Sequence, residues 1–192
     1  MSCGAALYFD KETDAAIRRL WQVIDDAGLP SKMLSLAYPP HMTILVCENS
    51  DLEAMREALG EFVAHQPPIE LNFHSLGVFN TPDGVIYLAP VTDQHLLAFH
   101  SALWTIMEPH SKQVNELYRP GKWVPHITLN VEVPADQIGD VMEALMRVDI
   151  PKTGRLTSLF VADFLPEPPA FEELFKQRFG SRAAAEHVQE PM

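Results

Sequence analysis

A four-residue pattern occurs twice in this 192-residue chain and constrains it more than any other feature. Pro40-His41-Met42-Thr43 runs into Ile44-Leu45, and Pro125-His126-Ile127-Thr128 runs into Leu129, 85 positions further on. Apolar residues alternate through both stretches: Met42, Ile44 and Val46 in the first, and Ile127, Leu129, Val131 and Val133 in the second. Alternation with a period of two predicts a strand with one buried face. Side chains two apart on a strand share a face at a separation of about 7 Å, so each copy sets an imidazole beside a hydroxyl. In the second copy the predicted polar face continues through Asn130 and Glu132. One side of each strand is then core, and the other fronts a cleft.

The rest of the chain supplies alternating strands and helices. Residues 3–9 read as a strand, followed by an amphipathic helix over 14–27 in which Ala15, Ile17, Leu20, Trp21, Ile24 and Ala27 recur at helical spacing before Gly28. Residues 33–37 read as a short strand leading to the first motif. Ser50 or Asp51 then caps a helix through Leu52, Met55, Leu59 and Val63. Ile69, Leu71 and Phe73 alternate with Glu70 and Asn72 in a strand that continues towards Phe79. Asn80-Thr81-Pro82-Asp83-Gly84 has turn chemistry, and residues 85–88 return as the partner strand. A helix over 93–107 is expected to bury Leu96, Leu97, Leu103, Trp104 and Met107. Residues 108–124 are loop, and a helix from Pro134 runs through Ile138, Val141, Leu145 and Met146. Strands over 153–164 and 171–179 close the domain, leaving 181–192 as a frayed, flexible tail. This order repeats one pattern approximately twice. It predicts an α+β fold over residues 1–180: two pseudo-symmetric lobes, each an antiparallel sheet with helices on its outer face, around a central cleft to which each lobe gives one histidine.

Composition removes several classes of function. A formal charge of −12 argues against a long polyanion footprint, so any nucleic-acid substrate is short or is only an end. No apolar run approaches the ~18–20 residues that span a membrane, and the N-terminus lacks a basic start, so a cytoplasmic protein is expected. Two cysteines, Cys3 and Cys47, cannot staple a domain of this size and read as buried thiols. His-Glu-x-x-His, paired Cys-x-x-Cys, Walker A and dinucleotide Gly-rich patterns are all missing from the sequence, so neither a metal nor another cofactor is expected.

The two tetrapeptides resemble the mark of the two-histidine (2H) phosphoesterase superfamily, which includes the bacterial 2'-5' RNA ligase-like proteins and cyclic nucleotide phosphodiesterases. In that family two His-x-Thr/Ser motifs, each followed by an apolar residue, lie several tens of residues apart. Leu76-Gly77-Val78-Phe79 and the stretch from Val85 to Val91 are similar to the family's hairpin, and the resemblance covers roughly residues 3 to 180. It implies the same bilobal fold and a metal-independent phosphoesterase acting on 2',3'-cyclic phosphates or 2'-5' linkages of RNA ends or nucleotides. Reversible 2'-5' ligation goes with that activity.

That chemistry needs one group to take a proton from the attacking oxygen and another to give one to the leaving oxygen. Histidine does either near neutral pH, because its unperturbed pKa is about 6.5. His41 and His126 are therefore the candidate acid and base, with Thr43 and Thr128 donating hydrogen bonds to the non-bridging phosphate oxygens. Arg119 and Lys122 are candidates to hold the substrate phosphate, and Tyr118, Trp123, Phe79 and Tyr87 to stack a base. The remaining histidines, His100 among them, read as surface or packing residues. The expected partner is a short RNA end, nucleotide or small phosphodiester, bound by a monomer. Two other readings stand beside this one: a module that binds a nucleotide or RNA end without turning it over, and a phosphodiesterase for a small non-RNA cyclic phosphate.

Overall fold

Antiparallel pairing organises the chain in this computed structural model, which describes residues 2–36, 38–164 and 171–180. The elements in order are β1 (Ser2–Phe9), α1 (Lys11–Asp26), α2 (Lys32–Leu36), β2 (His41–Ser50), α3 (Leu52–Ala64), β3 (Ile69–Phe79) and β4 (Gly84–Pro90). They continue with α4 (Gln94–Met107), β5 (Ser111–Lys112), β6 (Ile127–Val133), α5 (Ile138–Met146), β7 (Thr153–Phe164) and β8 (Phe171–Arg178). The tail expected over 181–192 lies outside the described residues, as does the side chain of Cys3; Cys47 is buried.

The strands follow one path, β5-β2-β1-β7-β3-β4-β6, with β8 added to β7. Two halves are visible in it because β3 changes partners along its length. Residues 69–72 pair with β7, and residues 73–79 pair with β4. One half therefore carries β2 and the first motif, and the other carries β6 and the second. The two motif strands also touch each other directly. The expected α+β bilobal arrangement is present, with one long strand shared between the lobes.

Side-chain oxygens start three of the helices: Asp10 accepts from the Thr13 amide at 2.8 Å, Asp51 from Ala54 at 3.2 Å and Asp93 from Leu96 at 2.8 Å. Each such cap contributes about 1 kcal/mol. Ile17, Leu20, Trp21 and Ile24 from α1 meet Leu7, Met42, Phe73, Leu129 and Leu159 from the sheet in one core. On the opposite face of the first lobe a smaller cluster, Ala6, Tyr8, Phe160 and Ala162, lies beside the first motif.

Four expectations are corrected. Residues 32–36 form the helix α2 instead of a strand; five residues are too few for periodicity to decide, and the Lys32 amide is held at 3.1 Å by Asn130 Oδ1. In α4 the buried set is Leu96, Phe99, His100, Leu103, Trp104 and Met107, one helical stripe that leaves Leu97 41% exposed. Helix α5 begins at Ile138, after a turn, and ends with Met146 exposed. The fourth concerns the motif strands. Ala5 pairs with Leu45 and Ala6 with Thr43, so Ile44 is an extra residue in β2; Ile86 pairs with Asn130 and Tyr87 with Thr128, so Leu129 is an extra residue in β6. Each bulge shifts the alternation by one. Leu45 and Cys47 turn into the core after Ile44, and Asn130 turns inward after Leu129. The polar face predicted through Asn130 and Glu132 therefore stops at Thr128, and the Asn130 amide instead donates to the Pro30 carbonyl.

Candidate active site

Each motif is built by the same local devices. Proline has no N–H to give a ladder, so pairing starts after Pro40 and Pro125, at His41 in one lobe and Ile127 in the other. The backbone just before each proline turns a carbonyl onto the histidine ring. His41 Nδ1 lies 2.7 Å from the Pro39 oxygen, and His126 Nδ1 lies 2.8 Å from the Val124 oxygen. A carbonyl only accepts, so in both rings Nδ1 carries the hydrogen and donates. The lone pair of each neutral imidazole then sits on Nε2, the nitrogen available to a substrate.

The bulge one residue beyond each threonine interrupts the ladder, and in both lobes an indole meets the threonine's own carbonyl. Trp21 Nε1 donates to Thr128 O at 3.1 Å, and Trp123 Nε1 donates to Thr43 O at 3.0 Å. Because Trp123 stands three residues before His126, its bond ties the second motif to the strand that carries the first. Trp123 itself is stacked on His100, with ring centroids 3.9 Å apart, and His100 Nε2 reaches the Ile44 carbonyl at 3.3 Å. The sequence pattern gives none of Trp21, Trp123 and His100 this positioning role. The repeated Thr-plus-bulge could not be seen in a sequence where the alternation continues unbroken.

Both histidines rest edge-on against a stacked aromatic pair. In the first lobe Tyr8 and Phe160 stack at 3.8 Å, and His41 meets Phe160 at 6.0 Å and Tyr38 at 5.8 Å. In the second, Phe79 and Tyr87 stack at 4.4 Å, and His126 meets them at 4.9 and 5.7 Å. Gly77, opposite Tyr87 in the ladder, makes room for that ring, since a Cβ there would overlap it. Burial lowers the pKa of both imidazoles against the smaller raising effect of their carbonyl partners. The two are close enough that charge on His126 further opposes protonation of His41. That charge opposes a proton on both rings at once, and acid-base chemistry requires one ring protonated and the other neutral. Thr43 and Thr128 are half-buried beside their histidines, Thr128 directly across the ladder from Tyr87.

A pocket of about 480 Å³ opens next to His126, lined by Phe79, Val85, Leu117, Tyr118 and Lys122 among others. Phe79 and Tyr118 line this pocket, and Tyr87 stacks on Phe79 without lining it. Trp123 forms part of the wall, but it is 7% exposed and its ring is taken up by His100, so it is a strut and not a free stacking surface. Arg119 does not line the pocket; its guanidinium lies 2.9 Å from Glu116, 3.7 Å from Glu108 and over the Trp104 ring. Lys122 does line it, with its ammonium 3.2 Å from Glu116. Hydrogen bonding from Lys122, together with the Arg119 and Lys122 charges, holds the Glu116 carboxyl below its usual range. Among the described residues no group of three or more His, Cys, Asp or Glu is placed to hold a metal ion, and no helix is long and apolar enough to cross a membrane.

The family profile described as the 2'-5' RNA ligase superfamily matches residues 9–166. No curated protein matches the chain significantly. In three dimensions the chain is similar to TT0787 of Thermus thermophilus, with a TM-score of 0.61 and 19% identity over 94% of this chain and 98% of that one. It is also similar to E. coli LigT complexed with 3'-AMP, with a TM-score of 0.56 and 16% identity over 92% and 97%. LigT complexed with ATP gives a TM-score of 0.54 and 17% identity over 93% and 97%. At these identities the likeness is one of fold.

Proposed function

Because the chain belongs to the 2'-5' RNA ligase superfamily, we propose that it is a phosphoesterase that opens 2',3'-cyclic phosphates, or cleaves 2'-5' phosphodiesters, of RNA ends or nucleotides. The observation that carries this reading is the pair of imidazoles in contacting strands, each oriented by a donated Nδ1–H and each followed at the second residue by a threonine. A bound anion between them meets two Nε2 atoms and two hydroxyls.

In the proposed hydrolysis, the neutral imidazole takes a proton from water as the water oxygen forms a bond to phosphorus. The other imidazole, protonated, gives its proton to the ribose oxygen whose bond to phosphorus breaks. The threonine hydroxyls donate to the non-bridging oxygens, where charge accumulates. Run backwards, with a ribose hydroxyl in place of water, the same exchange joins two ends. Proton transfer of this kind supplies about 10²–10⁴-fold per group. The pocket beside His126 suits the base and sugar of the substrate, with Phe79 and Tyr118 as its apolar walls and Lys122 at its rim. That LigT has been captured with 3'-AMP and with ATP is in keeping with a nucleotide ligand.

The test is to incubate the protein with each of the four nucleoside 2',3'-cyclic phosphates in the presence of a chelator and follow nucleoside monophosphate formation chromatographically. Saturable turnover is expected. Saturable binding with no product would leave only a nucleotide-binding module.

A further inference from the structure

Cross-strand pairing places two cations on the same sheet rows as the first motif. Directly opposed residues of antiparallel strands share a face. His41 pairs with Tyr8, Tyr8 with Ser158, and Ser158 with Arg178, a single row across β2, β1, β7 and β8. The next row runs Thr43, Ala6, Phe160, Lys176. Both rows therefore lead from the motif, over the cluster of Ala6, Tyr8 and Phe160, to a basic side chain.

A groove of about 670 Å³ lies along this face, lined by Tyr8, Pro39, Ser158, Lys11, Lys176 and Arg178 among others. It reaches Pro39, the residue whose carbonyl orients His41. Asp10 and Asp14 also line it, but Asp10 is engaged by the Thr13 amide at 2.8 Å and Asp14 by Arg18 at 2.7 Å. The nearby Glu173 carboxylate accepts the Tyr8 hydroxyl. The Lys176 ammonium rests 4.3 Å from the centre of the Tyr8 ring. Among the described residues neither Lys11, Lys176 nor Arg178 forms an ion pair. In a chain of net charge −12, with 14 Lys and Arg in all, three such cations around one groove are set against the charge of the whole protein.

From this arrangement we infer that the groove is a second anion site, which holds a further phosphate of the same substrate. Three inter-strand steps put the Arg178 backbone about 14 Å from that of His41, beyond what a single phosphate group can bridge. The substrate class that fits both ends carries its reacting phosphate at the histidines, a nucleoside in the pocket beside His126, and another phosphate on the His41 side. An RNA end of two or more nucleotides meets that description, and a lone nucleoside cyclic phosphate does not. The inference rests on the proposed cleavage reaction for the identity of the reacting group, and on the groove alone for the second anion.

Kinetics with matched substrates tests it. The 5'-phosphorylated dinucleotide and the mononucleoside, each ending in a 2',3'-cyclic phosphate, are compared in the native protein and in the variant Lys176→Gln/Arg178→Gln, in which both replaced side chains are exposed. The ratio of kcat/KM, dinucleotide over mononucleoside, is expected to exceed about tenfold in the native protein and to fall about tenfold or more in the variant. The dependence of log(kcat/KM) on log salt for the dinucleotide is expected to flatten by about 0.7 for each phosphate that the variant no longer neutralises. A ratio near one, or a ratio and salt slope unchanged by the double substitution, overturns the second site while leaving the cleavage reaction standing. If neither substrate is cleaved, the cleavage reaction fails instead. Calorimetric binding of the 5'-phosphorylated dinucleotide to the native protein and the variant then decides the groove separately: equal affinity overturns it, and at least tenfold weaker binding by the variant supports it.

Discussion

Replacing either motif-bracing tryptophan by phenylalanine isolates the device that shapes both halves of the site. Trp21→Phe removes the donor 3.1 Å from Thr128 O, and Trp123→Phe removes the donor 3.0 Å from Thr43 O. Both indoles are buried, at 1% and 7% exposure, so water does not readily replace the lost N–H. An orphaned buried carbonyl costs about 1–3 kcal/mol, and the lost ring area adds to this, so about 2–3 kcal/mol is expected for each substitution. The two bonds end on touching strands, β6 and β2, so the double variant should depart from the sum of about 4–6 kcal/mol by the coupling between them. That sum is a large part of the ~5–15 kcal/mol that holds an ordinary domain together. Guanidinium unfolding followed by far-UV circular dichroism gives these differences from the midpoint shift. Activity should fall more than stability suggests, because each threonine lies on the strand released; a displacement of about 1 Å costs on the order of 10² in rate. Losses below about 0.5 kcal/mol in both single variants, with kcat unchanged, would refute the bracing argument.

Further outcomes follow from the same geometry. A Cβ at Gly77 displaces the Tyr87 ring from its place beside Phe79 and His126, so Gly77→Ala should raise KM for the cyclic nucleotide several-fold and cost about 1–3 kcal/mol of stability. His41, His100 and His126 all have lowered pKa values in the folded protein, principally through burial. Below about pH 6.5 the unfolded chain binds protons at these positions that the folded chain refuses, so their stabilisation is complete above that pH and is lost as pH falls through the folded values. Melting temperature should therefore drop as the protein is taken below about pH 6.5, and His100→Gln should reduce the slope; an unchanged slope counts against His100 as a buried neutral group. The same lowered values place the optimum of kcat/KM for the free enzyme on the acid side of about 6.5, as a bell with two limbs. A plateau extending above about pH 8 would contradict it.

What could be read from the residues depended on how far each pattern ran. The helix capped at Asp51, the hairpin around Asn80 to Gly84, and both motif strands follow from side-chain chemistry within a few positions of one another. The bulges at Ile44 and Leu129 do not, because an extra residue in a strand is defined by its partner, which lies far away in sequence. This is why the alternation assigns Asn130 to a cleft face, whereas it is buried and anchors Pro30 and Lys32. Lys11, Lys176 and Arg178 are at opposite ends of the chain, and only the pairing of β1, β7 and β8 brings them to one groove. Arg119 and Lys122 come a few residues before His126; both side chains meet Glu116, and of the two Lys122 lines the pocket. The tetrapeptides themselves were legible because the motif is short, local and repeated.

The proposal that His41 and His126 act on one phosphate is tested most directly by the pH-rate profiles of the single variants His41→Ala and His126→Ala on a nucleoside 2',3'-cyclic phosphate. Each is expected to lose about 10²–10⁴-fold in kcat while keeping the native circular dichroism spectrum, and to lose one limb of the bell, a different limb in each variant. If both variants keep native turnover, or keep both limbs, the two imidazoles are not the acid and base of this site.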